Sequence, residues 1–218
     1  MSEHRLTLGQ RIFVGLYRTM TSVMVGYRDP FVADYVKTYG IGEFMSWAKA
    51  SYAMHKMLKE RWGPVEAQFV VAFAALWSGC RWCGVGHLLA GNLELYKREG
   101  ELGPVDERWV PKLQMMRDVE VLQELLGHLD DPRWERMARL VERQYLLHAG
   151  LVEEESRDDE LLQTANTMWE WVVECTITAM DFEPGAIPAP TPLGKDRKLV
   201  QRYRDAREQQ ALEAETRG

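Results

Sequence analysis

Cysteine is scarce in this chain, with three among 218 residues. So small and odd a number excludes the multi-disulfide frameworks that staple small secreted domains. Long apolar runs are also missing. The longest, FVVAFAALW over 69–77, has nine residues, far fewer than the roughly 20 needed to span a bilayer. The opening MSEHRLTLGQ lacks the charged-then-apolar order of a signal peptide. No excess of positive charge is present: 27 Lys and Arg face 33 Asp and Glu, for a net charge of −6. Such a balance gives no electrostatic footprint for nucleic acid. Sustained apolar/polar alternation, the mark of half-buried strands, is absent as well. These absences predict a soluble, cytoplasmic protein of the all-α class with no nucleic-acid or membrane partner.

Helical periodicity fills what remains, and a 46% apolar composition is enough to build a core. Ile12, Phe13, Leu16, Tyr17, Met20, Val23, Met24 and Tyr27 form one stripe, stopped by RDP at 28–30. Phe44, Trp47, Ala48, Ser51, Met54 and Leu58 form a second, which ends at WGP. Pro64 is placed to open the next helix, about 64–78, apolar on almost every face and so expected at the centre. Ser78 and Gly79 break it, and a further helix is expected from near Cys80 to about 98. Two or three shorter helices follow between 106 and 149, interrupted by DDP, and a long one runs from Ser156 to about Phe182. EPGAIPAPTP then places four prolines within ten residues and reads as an extended linker. The expected organisation is a helical domain over 1–182, a Pro-rich linker over 183–194, and a charged helical arm or tail over 195–218.

Two of the three cysteines and one of the five histidines fall within eight positions, in WSGCRWCGVGH. On a helix Cys80, Cys83 and His87 share one ridge, since residues three and four apart are neighbours. Cα atoms three apart lie within the roughly 4.4–6.8 Å span of a disulfide. A free thiol of pKa ~8.5 is only about 3% thiolate at pH 7, so a reactive cysteine needs activation. The helix N-terminus supplies roughly 0.3–1 kcal/mol and favours Cys80. An imidazole one turn away accepts a thiol proton and favours Cys83. The two cues name different nucleophiles. A zinc site would have three ligands here and lack the fourth unless Cys175 or a distant histidine supplied it.

The stretch SGCRWCGVGH, following a buried alanine-rich helix, resembles the Cys-x-x-Cys-x-x-x-His signature of the alkylhydroperoxidase AhpD-like group of the carboxymuconolactone decarboxylase-like superfamily. The resemblance is specific over about 64–92 and covers the all-helical plan to about 182. It implies a thiol peroxidase or disulfide reductase without metal or organic cofactor. Cys83 would attack the peroxide, Cys80 would resolve the product as a disulfide, and His87 would relay protons. It further implies a protein or small dithiol as reductant and a homo-oligomer, a trimer or a multiple of one. The group's relay usually includes a glutamate twelve residues before the first cysteine, and here that residue is Gln68. Glutamine orients a histidine but takes no proton at neutral pH. Glu66, two residues away on the helix, points elsewhere. A redox sensor or scaffold with little turnover is therefore the alternative.

Other residues receive structural readings. Cys175 is expected as an inert core thiol, His55 as a core-edge histidine, and His128 and His148 as helix C-terminal residues. Phe44, Trp47, Tyr52, Trp77 and Trp82 are candidates for an apolar approach to the thiols.

Overall fold

A computed structural model describes residues 5–176 and 184–217. All regular structure among them is helical, in agreement with the all-α expectation. The organising element is α3 (Pro64–Trp77), which touches α2 (Val32–Trp62), α4 (Arg81–Glu99), α6 (Glu135–His148) and α7 (Arg157–Thr176). Its near-continuous apolar sequence follows from those four neighbours. Val65, Phe69 and Phe73 face one core cluster, while Ala67, Val70, Val71 and Ala74 face another. Burying each phenylalanine contributes roughly 1.5–3 kcal/mol relative to exposure.

Gly63, at φ 98°, separates α2 from α3, and Pro64 opens the new helix at its first position. Gly79, at φ 83°, reverses the chain between α3 and α4. Only glycine adopts such dihedrals without a steric cost. The two helices then pack unusually closely. A Cβ on Gly84 would overlap Leu76, and one on Gly91 would press against Phe69 and Gln68 at 3.2–3.3 Å. The close approach of the two helices is thus provided largely by glycines of α4.

Around this pair, α5 (Asp118–His128) and α6 close one side. Gln144 of α6 donates to the Val70 carbonyl and to Asn166 of α7, tying three helices through buried amides. The carboxylate of Asp159 accepts two hydrogen bonds from Arg143 and one from the Glu155 N–H at the start of α7. That ion pair holds its carboxyl below the usual carboxylate range. The last stretch expected of this helix, beyond Thr176, and the side chain of Cys175 lie outside the described residues.

One segment differs from expectation, and the arm beyond it is helical as expected. The proline-rich stretch is not a free linker where it is described. From Pro184 to Lys195 it straps α4, burying Ile187 and Ala189. A Cβ on Gly86 would meet the Pro188 carbonyl at 3.2 Å. The charged arm is α8 (Arg197–Arg217), and its first half packs on its own domain through Leu199 and Tyr203. Tyr203 donates to the buried Glu107 at 2.7 Å and accepts from Arg207, which also reaches the Gly103 carbonyl. Residues 208–216 are all exposed.

The N-terminal helix α1 (Leu8–Val25) is held on α2 by Val14, Phe13 and Tyr17 against Val32, Tyr35 and Phe44. A Thr7/Gln10 capping box starts it and Gly26 ends it. Only part of its long apolar stripe is covered. Leu8, Ile12, Leu16, Met20, Val23 and Met24 are exposed.

Candidate redox site

Cys80 lies one residue before α4, in the N-cap position with non-helical dihedrals, and Cys83 is the third residue of the helix. The relaxed backbone at Cys80 is the local adjustment that a Cys-x-x-Cys pair on a helix requires. Their Cα atoms are 5.5 Å apart and their sulfurs are at bonding distance. Both cysteines are only 2% exposed. Both stand within the first turn, where the helix macrodipole acts.

His87 follows Cys83 by one turn and is 6% exposed. Its Nδ1 lies 2.7 Å from the Gln68 side-chain oxygen. An amide oxygen only accepts, so Nδ1 carries the proton and Nε2 keeps its lone pair. Gln68 reaches it because α3 and α4 run side by side, touching where Gly91 removes a side chain. The α3–α4 pair brings Gln68 to His87 and Cys80 to Cys83, with His87 one turn beyond Cys83 on α4. Glu66 faces away and lies 3.6 Å from Arg136 of α6.

His55 is the half-buried, hydrogen-bonded core-edge histidine expected, and the fold sets it beside His87. Its ring centroid is 5.4 Å from that of His87. Its Nδ1 donates to the Ser51 carbonyl at 2.9 Å, one turn back on α2, which leaves its Nε2 as an acceptor. Burial, and secondarily the nearby His55, hold the His87 imidazole well below its ordinary pKa. Burial lowers His55 as well, against the opposing effect of the Ser51 carbonyl. Two neutral imidazoles thus lie side by side, one of them a turn beyond Cys83, and the repulsion between them allows the pair one proton more readily than two. Only the fold reveals this, since 32 residues and two helix turns-of-direction separate the histidines. The methionine- and tryptophan-rich face around His55 was the available sequence signal.

The surrounding wall is apolar. Met54, Leu58, Val71, Ala75 and Leu162 share the cluster with the two cysteines. Trp82 packs edge-on to Phe31, with ring centroids 4.8 Å apart, and lies 5.7 Å from Tyr27. Trp169 stands 5.4 Å from His87, and its buried indole N–H has no hydrogen-bond partner among the described residues. Trp47 packs on Trp169 and donates to the Met168 carbonyl. Of the aromatics proposed to shape an approach, Trp47 and Trp82 pack against the cluster that holds the two cysteines. Phe44 instead joins the α1–α2 cluster, Trp77 packs on Tyr145, and Tyr52 faces solvent. His128 and His148 are the last residues of α5 and α6, as expected.

Among the described residues no group of three or more His, Cys, Asp or Glu side chains is arranged to hold a metal ion. No helix among them is long and apolar enough to cross a membrane. The fold and site define an all-helical protein with a buried Cys-x-x-Cys pair and an imidazole one turn on. No protein-family model, curated protein or solved structure matches the chain.

Proposed function

We propose that this chain is a thiol peroxidase of the AhpD-like kind, cycling Cys83 and Cys80 between dithiol and disulfide. The observation that carries the proposal is the His87 imidazole one turn beyond Cys83, with Nδ1–H fixed by Gln68 at 2.7 Å. The conflict between dipole and imidazole is eased by position: Cys83 sits in the same first turn as Cys80, and it alone has the histidine a turn away.

In the proposed cycle the Cys83 proton passes to Nε2 of His87. The thiolate attacks the distal oxygen of a hydroperoxide and the O–O bond breaks. The alkoxide leaves as an alcohol with the proton from His87, and Cys83 becomes a sulfenic acid. Cys80 attacks that sulfur, forming the disulfide and releasing water. An external dithiol, small or protein-borne, reduces the pair and is itself oxidised to a disulfide. The apolar wall of Met54, Leu58, Phe31 and Trp82 favours organic hydroperoxides over hydrogen peroxide. His55, its ring centroid 5.4 Å from that of His87, helps to keep that imidazole neutral at rest, and the cycle uses no metal or organic cofactor. A reducing compartment such as the cytoplasm supplies the dithiol state.

A redox sensor of the same fold is the second reading, favoured by Gln68 and by the near-complete burial of both thiols. Steady-state turnover decides between them. A peroxidase consumes many equivalents of organic hydroperoxide per chain when a dithiol is supplied, whereas a sensor consumes one.

A further inference from the structure

The outward face of α1 is apolar for its whole length. Leu8, Ile12, Leu16, Met20, Val23 and Met24 are each between 47% and 68% exposed, and no acidic or lysine side chain interrupts them. A helix that is apolar on its packed face and on its outer face is a helix with a missing neighbour. Arg11 and Arg18 are its two charges, and Arg18 is turned inward onto the carbonyls of Asp29 and Pro30.

We infer that this face is a two-fold contact with a second copy of the same chain, α1 packing antiparallel on α1 about Leu16. The order of residues carries the choice of occupant. Leu8, Ile12, Leu16, Met20 and Met24 recur every four positions, and Leu16 stands at the middle of the helix. Reversal about Leu16 exchanges Leu8 with Met24, Gly9 with Val23 and Ile12 with Met20. The face is therefore complementary to itself, as an isologous interface requires. Gly9 fits the same account. A Cβ there would meet nothing within 4 Å, so nothing inside the chain calls for it. Glycine is the weakest helix former after proline. At this position it leaves room for the opposing Val23 of the second copy. The six side chains offer roughly 600 Å² per chain, near the ~800 Å² per partner of a standard interface. A lipid surface would call instead for basic residues flanking the apolar face; Arg5, Arg11 and Arg28 are exposed beside α1, so lipid is the competing occupant that the test separates from a second copy.

Sedimentation equilibrium of the full chain tests this contact, independently of any redox activity. The expected wild-type assembly holds an even number of chains, and Leu16→Glu halves it while the helical circular dichroism is unchanged. A Leu16→Cys variant, oxidised and mapped by mass spectrometry, is expected to link residue 16 to residue 16 across two chains. Tyr52→Cys, equally exposed but on α2, is not. A wild-type monomer or odd-numbered assembly overturns the inference, as does an assembly indifferent to Leu16→Glu. A monomer that sediments with anionic phospholipid vesicles, and loses that binding in Leu16→Glu, overturns it in favour of a lipid surface.

Discussion

Replacing Gln68 by glutamate tests what the altered relay does to the thiols. The substitution keeps the shape and the acceptor oxygen 2.7 Å from His87 Nδ1, and adds one negative charge. Two opposite charges about 4 Å apart attract by roughly 4 kcal/mol at an effective dielectric near 20. At about 1.36 kcal/mol per pKa unit, that favours the imidazolium by up to ~3 units. Desolvation of the new carboxylate returns part of this gain. At present His87 is held well below its ordinary range by burial and by His55, and is a poor acceptor for the Cys83 proton. With a carboxylate behind it, the imidazolium–thiolate pair becomes accessible near neutral pH. We expect the alkylation of reduced Cys83 by iodoacetamide, measured in a Cys80→Ser background, to shift its pH profile down by one unit or more. The rate of reaction with an organic hydroperoxide at pH 7 should rise at least tenfold, within the range of roughly 10² to 10⁴ attributed to general acid–base assistance. Gln68→Met is the control. It orphans the Nδ1–H, with an expected loss of about 1–3 kcal/mol in stability and no downward shift of the profile. If the alkylation profile of folded Gln68→Glu superimposes on that of wild type, His87 does not activate Cys83.

Further outcomes are expected away from the thiols. His55 and His87 both have lowered pKa values in the fold, so the unfolded chain takes up protons first as pH falls below about 6.5. Stability is then full well above that pH and is lost progressively as pH falls through about 6.5 towards the lowered folded-state values. The slope is at most ~2.7 kcal/mol per pH unit for two groups. Asp29, raised by burial, acts in the opposite direction, so urea melts of His55→Asn and His87→Asn should flatten the loss without abolishing all pH dependence. Tyr203→Phe removes the hydroxyl that bridges Glu107 and Arg207 and should cost about 1–3 kcal/mol in urea unfolding. Deletion of 209–218 should change stability by less than about 0.5 kcal/mol, because those described residues are solvated. Ile187→Ala should destabilise by about 2–5 kcal/mol if the proline-rich strap is part of the core, and by almost nothing if it is a linker.

The α3–α4 hairpin was legible because its signals are local. An apolar run opened by Pro64, a Ser-Gly break and a fresh helix at Cys80 give the two helices, while Gln68 was singled out by the family resemblance and only the structure sets it against His87. The strap was not legible. Proline-rich composition reads as extended chain, and only tertiary packing shows that Ile187 and Ala189 have partners on α4. His55 was read correctly as a core-edge histidine, but its own helix does not say which residue lies across that edge, and only the fold shows that it is His87. The first helix shows the reverse difficulty. Periodicity marked a stripe from Ile12 to Tyr27 as one face, while the fold splits it into a covered side with Phe13 and Tyr17 and a bare side around Leu16. Periodicity reports apolarity, and does not say which chain supplies the partner.

The most direct test of the redox account is a thiol count of the fully reduced chain before and after stoichiometric organic hydroperoxide, with Cys80→Ser and Cys83→Ser in parallel. The account predicts that wild type loses two thiols per chain, that Cys80→Ser accumulates a sulfenic acid at Cys83, and that Cys83→Ser leaves the peroxide unconsumed. Thiols that remain reduced under excess peroxide, or peroxide consumption that survives Cys83→Ser, would contradict it.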